Sequence, residues 1–106
     1  MKPWDIKYLP EAVKDLQALD GSQKVLVQKA IKKVSQDPRP QSEGGYGKPL
    51  GSRSSGNLTG LLKIKLRSAG LRVLYKLMRT ETQMPVVVVG VREDEEVYEI
   101  AQDRRR

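Results

Sequence analysis

The sequence has no cysteine and no histidine. Without cysteine there is no disulfide and no thiolate metal site. Without histidine there is no His-based triad, no His-ligated zinc and no paired-histidine scheme of the kind many ribonucleases use. Acid–base chemistry is left to Lys, Arg, Tyr, Asp and Glu. Phenylalanine is absent and Trp occurs once, so the core must lean on Val and Leu. No apolar run is long enough to span a bilayer, and no secretion signal opens the chain. The expected compartment is the cytoplasm, with no membrane partner. Nothing in the sequence asks for a cofactor or a metal.

What is abundant is positive charge. The 106 residues carry a net charge of +7, and that charge is unevenly divided. Residues 1–92 hold 17 basic and 7 acidic residues, while residues 93–106 hold 3 basic and 6 acidic. A basic body of this kind suits an anionic partner, nucleic acid first. A membrane surface fits less well, because no basic amphipathic helix stands out. The length suits one domain, residues 1–106, with a modest core.

The chain is organised around Leu61-Leu62-Lys63-Ile64-Lys65-Leu66-Arg67, then Ser68-Ala69-Gly70, then Leu71-Arg72-Val73-Leu74-Tyr75-Lys76-Leu77. Both arms alternate apolar and basic residues, which predicts a β-hairpin. Pairing Arg67 with Arg72 gathers Lys63, Lys65, Arg67, Arg72 and Lys76 on one face. A one-residue slip would turn Arg72 into the core. Five cations with almost no acid among them repel one another, and a fold keeps such a face when a polyanion covers it. Basic residues are also common on solvated strands, although solvated faces usually mix signs.

The rest of the chain follows in order. Residues 2–9 predict a strand, with Trp4, Ile6 and Tyr8 alternating against Asp5 and Lys7. Residues 10–19 predict a helix with Val13, Leu16 and Leu19 as its stripe. Ser22 is the expected N-cap of a second helix. Val25, Leu26, Ala30, Ile31 and Val34 form its apolar side, and Asp37-Pro38 ends it. Residues 38–57 read as a long loop holding three Pro, five Gly and four Ser, with Arg39, Lys48 and Arg53 as its cations. Residues 79–83 read as a polar turn. Residues 85–91 form a Val-rich central strand closed by Arg92. Gly90 is expected to leave bare sheet surface beside Arg92. Residues 93–106 predict a short helix, acidic at its start and basic at its end. The order β-α-α-β-β-β-α gives an α+β fold. It is a small, twisted, mostly antiparallel sheet with an N-terminal helical hairpin on one face and an open basic face on the other.

An RNA strand laid across Lys63, Lys65, Arg72 and Arg92 could be cut by attack of a ribose 2′-OH on the adjacent phosphorus. The reaction needs positioning, a proton acceptor, a proton donor and neutralisation of the phosphorane. Arg can clamp nonbridging oxygens, and a Lys crowded by other cations can serve as a base. Tyr98 can orient a hydroxyl or stack on a base. By themselves these residues fit simple binding as well as cutting.

Residues Lys63 to Tyr75, then Val88-Val89-Gly90-Val91-Arg92 and Glu96-Val97-Tyr98, resemble the RelE toxins of microbial toxin–antitoxin systems. That resemblance implies a ribosome-dependent endoribonuclease, an mRNA interferase that enters the A site of the 70S ribosome and arrests translation. It also implies a cognate RelB-like antitoxin that silences the toxin. It assigns catalysis to Lys63, Lys65, Arg72, Arg92 and Tyr98. Arg67 and Lys76 are expected to bind RNA, with Lys48 and Arg53 helping from the loop. The full five-residue set favours an active ribonuclease over the related ParE-type gyrase inhibitors, which share the fold and generally lack it. A non-catalytic RNA-binding module is the other alternative. Leu71, where an aromatic is common, and Val91, where some members carry a basic residue, depart from the family pattern. So does the long 38–57 loop.

Overall fold

The computed structural model describes residues 3–49 and 61–90. Its strands are β1 (Asp5–Tyr8), β2 (Lys48–Pro49), β3 (Leu61–Leu66), β4 (Leu71–Lys76) and β5 (Gln83–Gly90). They form one sheet in the order β1-β5-β4-β3-β2. The pairs β2/β3, β3/β4 and β4/β5 are antiparallel, and only β1 runs parallel to its neighbour β5. This is the expected α+β arrangement. The expected C-terminal helix, Arg92 and Tyr98 lie outside the described residues, as does Arg53.

Helix α1 (Pro10–Gln17) begins directly after β1. Pro10 suits a first turn, where its missing amide has no partner to lose. The expected stripe is rotated. Ala12 is fully buried and Val13 is exposed, while Leu16 and Leu19 are half-buried against the core. A small residue at the contact lets α1 lie close to the Val-lined strand β5.

Helix α2 (Gly21–Val34) is capped by Asp20, not by Ser22. The Gln23 amide donates to Asp20 Oδ1 at 2.8 Å, and the Asp20 amide donates to Gln23 Oε1 at 3.3 Å. This reciprocal capping box needs a polar residue three positions on. Asp20 has Gln23 there, whereas Ser22 has Val25. The Ser22 hydroxyl instead donates to Asp20 at 2.8 Å. The inner stripe is Val27, Ile31 and Val34, with Ala30 beside it. Val25 and Leu26, expected inside, are 48% and 43% exposed. The two helices cover one face of the sheet, α1 over β5 and α2 over β3. The core between the layers joins Leu62, Ile64, Leu71, Val73, Tyr75, Met84, Val86 and Val89 to the helix stripes.

The hairpin β3/β4 forms with the expected faces but a different register. Lys65 pairs with Arg72, and Leu66 pairs with Leu71. Arg67 therefore leaves the strand and starts a 3-10 turn, Arg67–Ala69, closed by Gly70 at φ +65°. The left-handed position fits glycine without a Cβ penalty. A shift of two residues preserves which side chains share a face, so the reading of sidedness survives the change of register. Strand β5 is buried from Met84 to Gly90, as expected of a central strand. It starts at Gln83, because Met78 and Gln83 exchange backbone hydrogen bonds of 2.9 and 3.1 Å and tighten the preceding turn. An irregularity opposite Leu74 and Tyr75 inserts Val87 between paired residues.

The start of the expected loop is structured. Gln41–Glu43 is a 3-10 turn, and Lys48–Pro49 adds the short strand β2 to β3. The Tyr46 amide donates to the Asp37 carbonyl and the Gly47 amide to the Arg39 carbonyl, both at 2.9 Å. A Cβ on Gly45 would collide with the Arg39 backbone. One on Gly47 would collide with Leu62, the Tyr75 hydroxyl and the Pro38 carbonyl. These glycines serve close packing. Residues 50–57 of that loop lie outside the described residues.

Candidate active site

The cations gather on the sheet face opposite the helices. Residues directly opposed across a strand pair share a face. Lys65 opposes Arg72, and Arg72 in turn opposes Gly90. One pair further along, Lys63 opposes Leu74, which opposes Val88. Lys76 opposes Leu61 at the far end of the hairpin. On its other side Lys63 opposes Lys48 of β2. The face therefore carries Lys48, Lys63, Lys65, Arg72 and Lys76. Arg67 is exposed on the turn at the end of β3.

The basic face is not made of cations alone. Leu61, Leu74, Val87 and Val88 are buried yet stand outside the helix-side core cluster. The cations stand around an apolar centre on this second face. Alternation identifies the side of each residue but not whether a second packing surface exists. Leu74, flanked by Arg72 and Lys76, is the residue that signalled it.

Lys63, Lys65 and Arg72 are half-buried, as expected where long aliphatic stems pack along a sheet surface. Like charges directly opposed on a sheet disfavour the pairing, and this face has two such pairs, Lys48/Lys63 and Lys65/Arg72. Beside Arg72 the floor is Gly90, which has no side chain. Charged fork and point cations side by side suit a phosphodiester.

Other cations are engaged elsewhere. Arg39, one of the expected loop cations, donates to Asp37 through Nε at 2.7 Å and Nη2 at 2.8 Å. These bonds hold the Asp37 carboxyl below its ordinary value. Arg79 makes a matching fork to Glu43 at 2.9 and 2.7 Å, which lowers the Glu43 carboxyl in the same way. Lys33 lies 5.7 Å from the centre of the Tyr46 ring. Among the described residues no cluster of acidic side chains is built to hold a metal ion, and no helix is long and apolar enough to cross a membrane.

Two contributors were not read from the sequence. Asp15 of α1 accepts the Val89 amide at 3.1 Å, next to Gly90. Its only signal was a carboxylate on the inner side of a short helix, between Ala12 and Leu16. The other is the position of Lys48, expected on a loop and found on a strand.

A protein of Escherichia coli described as a RelE-like toxin is 30% identical to this chain over 103 residues, covering 97% of this chain and 98% of that one. The chain belongs to the RelE family of toxins. No protein-family model matches the sequence. Solved structures agree with the family. A double mutant of E. coli toxin RelE in the free state superposes with a TM-score of 0.76 at 26% identity, covering 99% of this chain and 100% of that one. The isolated E. coli RelE toxin gives 0.68 at 27% identity, over 95% of this chain and 97% of that one. The RelE double mutant bound to an antitoxin RelBc peptide gives 0.67 at 26% identity, over 94% and 95%. In this RelE-family toxin of a toxin–antitoxin system, the three described residues of the expected catalytic set, Lys63, Lys65 and Arg72, come together on adjacent strands.

Proposed function

We propose that this toxin is an endoribonuclease that cuts mRNA in the A site of the 70S ribosome and so stops translation. The observation that carries the reading is the opposition of Lys65 and Arg72, with Lys63 two residues away and the bare Gly90 on the far side. The scissile phosphate lies over this group. A lysine of the Lys63/Lys65 pair accepts the proton of the ribose 2′-OH. The 2′-oxygen bonds to phosphorus as the bond to the 5′-oxygen breaks, and a proton is delivered to that leaving oxygen. Arg72 neutralises the phosphorane. By family resemblance Arg92 and Tyr98 complete the set, Arg92 at the phosphate or leaving oxygen and Tyr98 at the nucleotide. The products are a 2′,3′-cyclic phosphate and a 5′-OH, and no metal enters the step.

The toxin's partner in this reading is a small RelB-like antitoxin with an acidic, amphipathic helix that covers the basic face or displaces the C-terminal segment. The RelE relative bound to an antitoxin peptide supports this pairing. The test of the reaction is a programmed ribosome carrying mRNA with a single 2′-deoxy substitution at the cut site. Cleavage of the parent mRNA and none of the deoxy mRNA is expected. Cleavage of both at one rate would overturn the mechanism.

A further inference from the structure

We propose that Lys48 forms a second phosphate site, holding the RNA backbone one nucleotide step from the reacting phosphate. The proposal rests on the ribonuclease reading above and specifies how that site is extended.

The cations on this face follow a diagonal line. It starts with Lys48 on β2, passes to the directly opposed Lys63 on β3, and moves two residues along β3 to Lys65. It then crosses to Arg72 on β4 and ends at Gly90 on β5. Two residues along a strand span roughly 6.6 Å, and each strand-to-strand step adds about 4.8 Å. Lys48 therefore stands too far from the Arg72–Gly90 end to share one phosphate with it. A polyanion with regularly spaced charges can engage both.

A lysine at a sheet edge also blunts edge-to-edge association. That role needs charge on β2 but no fixed position. Here the position is fixed. Gly47, the preceding residue, is wedged against Leu62, Tyr75 and the Pro38 carbonyl with no room for a Cβ. The Tyr75 hydroxyl donates to that same carbonyl at 2.8 Å. The backbone that carries Lys48 is thus clamped to the core, directly opposite Lys63. A lysine whose backbone is fixed in register with the reacting group suits a ligand that carries regularly spaced negative charge. The ligand class is a phosphodiester of single-stranded RNA beside the cut.

The test compares the parent toxin with Lys48→Ala on programmed ribosomes. The mRNAs carry one neutral methylphosphonate linkage, moved one position at a time through the nucleotides flanking the cut. In the parent, one flanking linkage is expected to raise KM about tenfold when neutralised. Lys48→Ala is expected to raise KM about tenfold on unmodified mRNA, with its effect in KM rather than kcat, and to be insensitive to that same linkage. Its log–log salt slope should be shallower by about 0.7, and Lys48→Arg should restore both. An unchanged KM in Lys48→Ala, or the same linkage profile as the parent, would overturn the second site while leaving the ribonuclease reading intact. A parent that cuts no mRNA at all would overturn that reading and the second site with it.

Discussion

The Val89 amide donates to the Asp15 carboxylate at 3.1 Å, so a helix side chain occupies a place that a neighbouring strand would otherwise fill. Strand β1 accompanies β5 only from Gln83 to Val86. Beyond Tyr8 the chain turns into α1, and Asp15 on that helix takes over the edge. Asp15→Ala leaves the amide of a buried residue without its acceptor, a cost of ~1–3 kcal/mol. For a chain of this size the melting temperature should fall by several degrees or more. Asp15→Asn keeps a carbonyl oxygen in place and should retain most of the stability. Thermal denaturation of the two variants checks this; equal losses would mean that the acceptor is not what matters.

Tyr75 and Gly47 act on one contact. Burial raises the Tyr75 hydroxyl far above its ordinary range, and it stays protonated as the donor to Pro38. Tyr75→Phe should cost ~1–3 kcal/mol by leaving that carbonyl unpaired. Gly47→Ala forces a methyl group into the same space and should cost ~1–3 kcal/mol. The double variant should lose less than the sum, because both changes loosen the same junction. Urea titration of the set measures the coupling, and strict additivity would show that the two residues act separately.

Acid should release the cap of α2. The Asp20 carboxyl is lowered chiefly by the Gln23 amide and then by the Ser22 hydroxyl. Its folded value lies below its unfolded one. The cap therefore contributes fully above the unfolded value, about pH 4, and that contribution fades as pH falls through the lowered folded value. Asp20→Ala should melt earlier than the parent at neutral pH, and the gap should close in strong acid. A gap that stays constant down to pH 2 would exclude the carboxylate as its source.

Arg72 and Lys76 should separate chemistry from binding under the proposed mechanism. Arg72 stands beside Gly90, so Arg72→Ala should slow single-turnover cleavage by about two to three orders of magnitude. Lys76 opposes Leu61 at the other end of the hairpin. Lys76→Ala should weaken binding only, an effect that added salt imitates in the parent. A large single-turnover defect in Lys76→Ala at saturating ribosomes would contradict this division.

The sequence made the sidedness of the hairpin legible because alternation survives any even shift of register. Lys63, Lys65 and Arg72 could be placed together before their partners were known. The register itself was hidden in the turn, where a left-handed Gly70 and a 3-10 turn withdraw Arg67 from the strand. The phase of α2 was misread because Val25 and Leu26 extend the apolar pattern past the stripe that Val27, Ile31 and Val34 bury. The segment from Pro38 to Lys48 looked like part of one long loop because glycine signals both freedom and close approach. At Gly45 and Gly47 it is close approach that decides. Asp15 was unreadable because capping a sheet edge leaves no periodic trace in sequence.

The parallel pairing of β1 with β5 sets an order of events during synthesis. Tyr8 cannot meet Val86 until nearly the whole described chain has been made. The β3/β4 hairpin joins residues close in sequence and can form as soon as it emerges, whereas long-range pairings close late. A ribosome translating this toxin therefore displays the hairpin's cations before it displays a closed sheet. Chains that stop before Val86 carry the charge of the site without the framework that aims it.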